Sequence, residues 1–512
     1  MFVKETKVKR SGREYTYLQL VDGYRDENGK VRHRVVANLG RKDALKDSGQ
    51  LEALAGSFAR LDPPMAGTRR SVGPLLLVEH FLGELAVKDT VDGALPRSAR
   101  SVLSVGEVVC ALIASRLCSP SPLYDIAGWA SGAAVHELLD IPPALLNDDR
   151  LGRALETFAV YAEDLRSRVA AGAIERFGVS AGRLHVDLTT VGVSGAYEHS
   201  AFVAKGWASD RRVARQVRTL QACTADGTVL YSRPDPGNAA ELTLVGASLE
   251  RLLAISGPGL LIVCDSAMGQ PKTMGEIDQA GVRFVVPLRA SAGFRERFLA
   301  EVGHQALRRV RYVPQREAKL PPQLRTVFKG ALRDWEIPAT GEHPSLKLRV
   351  AYIHSSEEAT QVADARERAL VKAEDALQRM HNGLGGRYYK TREQVERRIG
   401  QILAVNITGL IDVTVSTRKG KLTLAWERNQ DAITTAASFD GIYALATNLP
   451  GRLSAGQVLR LYKDQQIVER RHRDMKQTLK VRPIFLHSAP CIFRWFPQLP
   501  QGGPLRRADE LR

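Results

Sequence analysis

The sequence predicts an α/β protein: a mixed sheet with helices on its faces, interrupted by a strand-rich segment and preceded by a β-hairpin and a helical region. Three observations carry this reading. Between about 184 and 288 the apolar runs follow the order β-β-β-α-β-α-β, hairpin-connected strands first and alternation afterwards. Between about 75 and 178 apolar residues recur at helical spacing, and between 13 and 40 two alternating runs flank a turn signal. With 512 residues, 44% hydrophobic and 25% charged, the chain is neither disordered nor fibrous, and it is long enough for several cores.

In the first hairpin, Tyr15, Tyr17, Leu18 and Leu20 precede Glu27-Asn28-Gly29, and Val31, Val35 and Val36 follow it. Arg32, His33 and Arg34 make the return strand basic. Ser104-x-x-Glu107 is a capping box that opens a helix with Val105, Val108, Val109, Leu112 and Ile113 on one face. Ser119-Pro120-Ser121-Pro122 ends it, a short helix follows through Leu123, Ile126 and Trp129, and a longer one is predicted from about 150 to 175. Leu184–Val191 is an apolar strand carrying one carboxylate, Asp187. Val217–Cys223 and Val229–Ser232 flank Ala225-Asp226-Gly227 as a second hairpin. A helix over 239–255, a strand Leu260–Cys264 ending at Asp265, a short helix over 272–280 and a strand Arg283–Leu288 complete the series. The segment 300–437 then brings strand-like pieces and one long helix at about 355–380. There Ala359, Ala363, Leu370, Ala373, Leu377 and Met380 form a stripe broken only by Arg366. A last apolar strand, Gly441–Ala446, precedes the break Asn448-Leu449-Pro450-Gly451, and Ser454-x-x-Gln457 caps a helical region running to about 480. The expected divisions are 1–60, 70–178 (a candidate DNA-binding domain), 180–298, 300–437, 438–487 and 488–512.

Charge narrows the function. Lysine and arginine total 73 against 56 acidic residues, giving +17 and a pI near 9.7, which points to a polyanion. An anionic membrane surface is disfavoured, because the start lacks an apolar leader and no apolar run reaches the roughly 18 residues of a span. Cys110, Cys118, Cys223, Cys264 and Cys491 are odd in number and never spaced C-x-x-C, which excludes a disulfide framework and fits a reducing cytoplasm. No G-x-x-x-x-G-K-[ST] stretch exists, which argues against an ATP-driven motor.

The residues that could carry chemistry are carboxylates set in apolar or basic surroundings. Asp187 interrupts one strand and Asp265 ends another, positions where charge is costly unless used. Glu469 lies where residues 460–482 hold eight Lys/Arg against three Asp/Glu. Tyr462, Gln465, Glu469, Arg473 and Lys476 step by three or four, so a continuous helix would place them on one face. Such a face offers a carboxylate for a metal flanked by cations and a phenol for phosphates. Hard oxygen ligands from three elements suit Mg²⁺.

The stretch YKDQQIVERRHRDMKQTLKVRPIFLH resembles the DDE transposases of bacterial insertion sequences, in the group marked by Tyr-x2-Arg-x3-Glu-x6-Lys. Here the signature stands as Tyr462-x2-Gln465-x3-Glu469-x6-Lys476, with glutamine in the arginine position. The resemblance extends to LHVDLTTV around Asp187, IVCDSAMGQPKTM around Asp265, FDGIYALATN from Phe439, KGWASDRRVARQV from Lys205, the opening YLQLVDGYRDENGKVRHRVVANLG, and RPIFLH at Arg482–His487. It covers about 1–487. It implies an RNase H-like catalytic core split by a β-rich insertion between the second aspartate and the glutamate. It implies that Asp187, Asp265 and Glu469 hold two Mg²⁺ ions, with Mn²⁺ able to substitute. Tyr462, Arg473, Lys476, Arg211 and Arg212 are then the expected DNA contacts. The implied partner is double-stranded DNA, the element's terminal inverted repeats and a target, bound by a homodimer on paired ends in the bacterial cytoplasm at the nucleoid. No membrane is involved. An RNase H-fold nuclease without strand transfer and a catalytically dead DNA-end-binding remnant are the alternatives. After His487, four prolines within 25 residues depart from the family's continuation by an apolar helix, so residues 488–512 are expected to be disordered and the copy to be weakened or inactive.

Overall fold

The structure, a computed structural model, describes residues 2–10, 13–26, 30–51, 69–95, 101–195, 197, 200, 202–207, 213–239, 246, 248–289, 292–341, 343–403, 407–418 and 420–481. The Glu27-Asn28-Gly29 turn, Arg211, Arg212, most of the first half of the 239–255 helix, Arg482–His487 and the 488–512 segment lie outside the described residues. Two compact units divide the chain after Ser71.

In the first unit β1 (Phe2–Arg10), β2 (Arg13–Arg25) and β3 (Val31–Arg41) form an antiparallel sheet in sequence order, followed by the short helix α1 (Lys42–Asp47). β2 and β3 are the hairpin expected from the sequence. β1 escapes that reading because Lys4, Lys7 and Lys9 mask its alternation, although Val3 and Val8 pair with Leu20 and Tyr15.

The second unit opens with helices α2 (Leu75–Glu84), α3 (Val87–Ala94), α4 (Val105–Cys118), α5 (Ile126–Gly132), α6 (Val135–Leu139), α7 (Asp148–Val160) and α8 (Ala162–Phe177). The capping box forms: Glu107 N donates to Ser104 Oγ at 3.1 Å and Ser104 N to Glu107 Oε2 at 2.6 Å. α4 is buried continuously from Val108 to Arg116, all round rather than on one face, so it is the central helix of this region. The single helix expected over 150–175 is two, broken at Tyr161, so that Phe158, Ala162 and Leu165 can all enter one apolar cluster.

The sheet then follows with β4 (Arg183–Gly192), β5 (Ala204–Trp207), β6 (Val213–Thr224), β7 (Val229–Pro236), α9 (Leu249–Ser256), β8 (Leu261–Val263), α10 (Pro271–Gln279), β9 (Arg283–Leu288) and α11 (Ala292–Glu301). Its order is β7-β6-β4-β8-β9, antiparallel through β7, β6 and β4, and parallel from β4 to β8 and from β8 to β9. This is the RNase H-like arrangement that the resemblance implies. The strands bury both faces, as apolar runs without polar alternation require. Ile262, Phe284 and Val286 enter one core with α9, α10 and α11, while Val263 and Val285 enter another on the opposite face.

The segment after α11 adds to this same sheet. β10 (Arg308–Val310), β11 (Phe328–Ile337) and β12 (Leu346–Ser355) lie in the order β10-β11-β12-β15-β9, where β15 (Ile442–Thr447) returns to pair antiparallel with β9. Without them the backbone of β9 would be an unpaired edge. Between β12 and β15, helices α12 (Ser356–Asn382) and α13 (Arg392–Ile402), the hairpin β13 (Ile411–Arg418) and β14 (Lys421–Arg428), and helix α14 (Gln430–Ala437) surround a separate small core. The inserted chain is therefore helical as well as β-rich. The apolar stripe of α12 divides between the two. Leu370, Ala373, Leu377 and Met380 join the small core, whereas Ala359 packs by Gly441. Gly441 has φ +70°, and a Cβ there would stand 2.4 Å from the Ser355 carbonyl oxygen, so glycine is needed at this return.

Arg366, the break in the stripe, sits between these halves. Its guanidinium donates to Asp440 Oδ1 at 2.7 Å and Oδ2 at 2.6 Å, and the two side chains are only 13% and 10% exposed. The fork-to-fork geometry ties the start of α12 to the approach of β15. Arg366→Ala strands a buried carboxylate and is expected to lower unfolding free energy by about 3–5 kcal/mol, read by urea denaturation. Arg366→Met with Asp440→Leu is expected to recover most of that loss. A single variant as stable as the parent would show that the pair does not join the two parts.

Candidate active site

The site is built on one face of β4. A strand sends alternate side chains to opposite faces, and Leu184 and Val186 go to the large core while His185, Asp187, Thr189 and Val191 go to the other side. Each of these four meets the last helical segment, made of α15 (Ala455–Lys463), α16 (Gln466–Arg473) and a π-helical turn at Asp474–Thr478. His185 Nδ1 lies 3.1 Å from Gln465 Oε1, and Gln465 Nε2 donates to the Val186 carbonyl oxygen at 3.0 Å. His472 Nδ1 approaches Asp187 Oδ2 at 3.5 Å. Lys476 Nζ donates to Thr189 Oγ1. Val191 packs with Met475 and Leu479.

The amide oxygen of Gln465 can only accept, so its partnership with His185 assigns the ring proton to Nδ1. Burial lowers the His185 pKa, which keeps the ring neutral. His472 is also neutral: burial, then the charge of Lys476, pull its pKa down to about 3. Its approach to Asp187 is therefore a neutral imidazole against a carboxylate and not an ion pair.

Asp187 and Asp265 come level. The parallel register pairs His185 with Val263, and each aspartate lies two residues further along its own strand direction. Neighbouring strands are about 4.8 Å apart, so the register sets the two aspartates level on adjacent strands, Asp187 within β4 and Asp265 just past the end of β8. Asp265 also caps the turn Ser266–Met268, accepting from Ala267 N at 2.9 Å. Their shared surroundings show in Cys264, whose thiol is held well above its ordinary pKa by burial, then by Asp265 and Asp187.

Glu469 stands differently. Of the expected face, Tyr462, Gln465, Glu469 and Arg473 line one cleft, whereas Lys476 turns to Thr189, and the helix is not continuous. A tight turn breaks it at Asp464–Gln465, where Gln465 N bonds Tyr462 O and Val468 N bonds Gln465 O. A wide turn follows, with Leu479 N bonding Asp474 O. The residues meet two surfaces. Gln465, His472 and Lys476 turn to the strand. Tyr462, Glu469 and Arg473 line an open polar cleft of about 410 Å³ with Arg316, Lys463, Gln466 and Arg470, at whose edge Gln465 also lies. Glu469 makes no hydrogen bond or ion pair among the described residues. Tyr462 senses all three acids: burial, then Glu358, Asp265, Glu469 and Asp187, push its hydroxyl up to about 12.

Carboxylate oxygens are the donors that magnesium takes, so the set fits that ion in chemistry. In geometry the register puts the two aspartates level on adjacent strands, yet among the described residues no three His, Cys, Asp or Glu side chains stand close enough to hold a metal ion. Sequence reasoning missed His185, His472, Thr189 and Arg316. Only His185, next to Asp187 in an apolar strand, left a signal.

Adjacent aspartates at the carboxyl end of a mixed sheet in this strand order, beside a basic helix bearing a glutamate, define a protein of the RNase H-like class with an acidic site. Family comparison narrows the class. The model described as "Transposase DDE domain" matches residues 182–488, more than half the chain, and the chain belongs to that family. The model "IS1634 family transposase, N-terminal domain" matches residues 3–64, and "Domain of unknown function (DUF4277)" matches 68–170. Curated proteins give no match. Among solved structures, the chain is similar to one titled "Mos1 transposase paired-end complex with left transposon end", with 9% identity and a TM-score of 0.15 over 37% of this chain and 60% of that one. It thus spans less than two thirds of that protein's length.

Gln465→Leu removes the donor to the Val186 carbonyl and the acceptor for His185. Each buried group left unpaired costs about 1–3 kcal/mol, so chemical denaturation is expected to show a loss of several kcal/mol. A loss no larger than that of an exposed neighbour, Gln466→Leu, would mean that this bridge does not hold the helix.

Proposed function

We propose that this chain is a DNA transposase that cuts the ends of an insertion sequence and transfers the freed 3′-hydroxyl to target DNA. The observation that supports the reading is the β4–β8 register, in which Asp187 and Asp265 each lie two residues beyond the paired His185 and Val263. The family matches over both the first unit and the sheet support it. Asp187, Asp265 and Glu469 would hold two Mg²⁺ ions, with Mn²⁺ able to substitute. Bound divalent cations supply Lewis acidity at the scissile phosphate and at the attacking oxygen.

The chain's own residues do the rest. The bridge from Gln465 fixes the helix on the strand of the first aspartate. Lys476 donates to Thr189 Oγ1 on the same strand face as Asp187, and its ammonium charge would meet a phosphate there. Tyr462, protonated at neutral pH, donates its hydroxyl towards a phosphate, and Arg473, which has no ion pair among the described residues, supplies a fork for another. Arg211 and Arg212 extend the DNA contact. Both ends must be cut together, so the acting unit is a homodimer on paired ends. Among the described residues no three acidic or imidazole side chains are grouped for a metal ion, which favours, as second reading, an end-binding remnant without catalysis. Among the described residues no helix is long and apolar enough to cross a membrane.

Purified protein with Mg²⁺ and duplexes carrying the element's terminal repeats is expected to give cut ends and joined products. Asp187→Asn, Asp265→Asn and Glu469→Gln should each lower cleavage on the order of a thousandfold, several kcal/mol of transition-state stabilisation, with end binding retained. End binding without any cleavage by the parent protein supports the remnant, and cleavage without joining supports a nuclease. Unimpaired cutting by any of the three variants removes that residue from the assignment.

A further inference from the structure

The cleft that carries Glu469 has a wall from a distant part of the chain. Arg316 belongs to the connection between β10 and β11, residues 311–327, far longer than the two to five residues a hairpin turn needs. Connections of this length in a compact domain are usually functional when they are ordered. This one is tied to itself and to the sheet. Glu317 accepts from Thr326 N at 2.7 Å and from Thr326 Oγ1 at 2.8 Å. Arg325 donates to the carbonyls of Leu320 and Ala318, and Val327 N to Ser356 Oγ. Gln315 Oε1 meets Arg470 Nη2 at 3.4 Å, which brings the loop to the Glu469 helix.

The charges in the cleft are uneven. Four cations line it, Arg316, Lys463, Arg470 and Arg473, against one carboxylate, Glu469. Arg316 pairs with Glu357 and Glu317, yet its side chain is 63% exposed, and an ion pair so open exchanges readily for a phosphate. Arg470 has only an amide partner, and Arg473 has none among the described residues.

We propose that the 311–327 loop is a strand clamp. Arg316 and Arg470, with Arg473, bind the phosphodiester backbone of a DNA strand led past Glu469, without reading its sequence. This rests on the reading of the chain as a DNA-processing protein. A preformed loop contributes because it is not ordered at the moment of binding.

The test is binding of the full chain to a fluorescein-labelled random-sequence duplex, followed by anisotropy across a salt series. Each phosphate contact adds about one unit to the slope of log affinity against log salt. Arg316→Gln is expected to bind about tenfold more weakly and to lose about one unit of slope, with an unchanged melting temperature. Arg368→Gln, on an exposed part of α12 outside the cleft, should lose less of both. Glu357→Gln, which removes one of the two acidic partners of Arg316, is expected to bind more tightly. Unchanged affinity and slope in Arg316→Gln, with Arg473→Gln still weakened, overturns the clamp and leaves the DNA-processing reading standing. Weaker binding by Glu357→Gln also counts against the clamp. No DNA binding by the parent protein overturns both.

Discussion

The seam between β4 and the last helical segment is the contact on which the site depends. Strand geometry fixes which residues reach it, since alternate positions must share a face. The helix then meets His185, Asp187, Thr189 and Val191 in turn with Gln465, His472, Lys476 and Met475. Four successive partners of different chemistry, an amide, an imidazole, an ammonium and a thioether chain, leave no second register in which all are satisfied. A slide by one helical turn would set a buried amide or cation against the wrong group, where an unmet polar partner is costly. Glu469 makes none of these contacts, but its position follows from them.

Two irregular turns sit in the same short stretch, at Gln465 and at Asp474–Thr478. A regular helix carries a face by 100° per residue and drifts off a straight strand within a few positions. Even so, positions seven and four residues apart, as Gln465, His472 and Lys476 are, return to within about 40° of one face, and all three reach the strand. Across the sheet, β15 and β12 are laid on β9, which covers an otherwise open edge and returns the chain to where α15 must begin. A long insertion between Asp265 and Glu469 is tolerated because closing a longer loop costs little more, provided the return is pinned. Gly441 and the Arg366–Asp440 pair supply that pin.

Much of this was legible in the residues. Hairpin order followed by alternation marked the sheet, and the capping boxes at Ser104 and Ser454 marked helix starts that the structure forms. Asp187 and Asp265 stood out because charge in apolar strands needs a reason, and register sets them level. The shared face was legible for Tyr462, Gln465, Glu469 and Arg473, which line one cleft, but not for Lys476, which the strand takes by a contact with Thr189. Gln465 shows the limit most plainly. As a residue in a basic stretch it gave no sign of a buried bridge, since its partners, His185 and the Val186 carbonyl, lie some 280 positions away. β1 was hidden for a local reason, its lysines. The edge strands β10 to β12 were visible as strands, but nothing local says which sheet a strand will join.

The fold also sorts the acids of the basic stretch, and this separates Glu469 from its neighbours by more than resemblance. Asp464 is taken by Arg183 at 3.2 Å and Asp474 by Arg471 at 3.0 Å, each pair fastening one end of α16. Glu469, between them, is flanked in sequence by Arg470 and Arg471, yet it makes no pair among the described residues. On the strand side the helix buries an amide, a neutral imidazole and an ammonium bonded to a hydroxyl, since burying unpaired charge is costly. Arg470 and Arg473 are left to the cleft, next to the one acid that no arginine has neutralised. A carboxylate kept out of ion pairs beside arginines kept out of ion pairs can serve only outside ligands. The pairing of anion-seeking and cation-seeking groups within one cleft is the demand that a phosphodiester with its counter-ions makes on a protein.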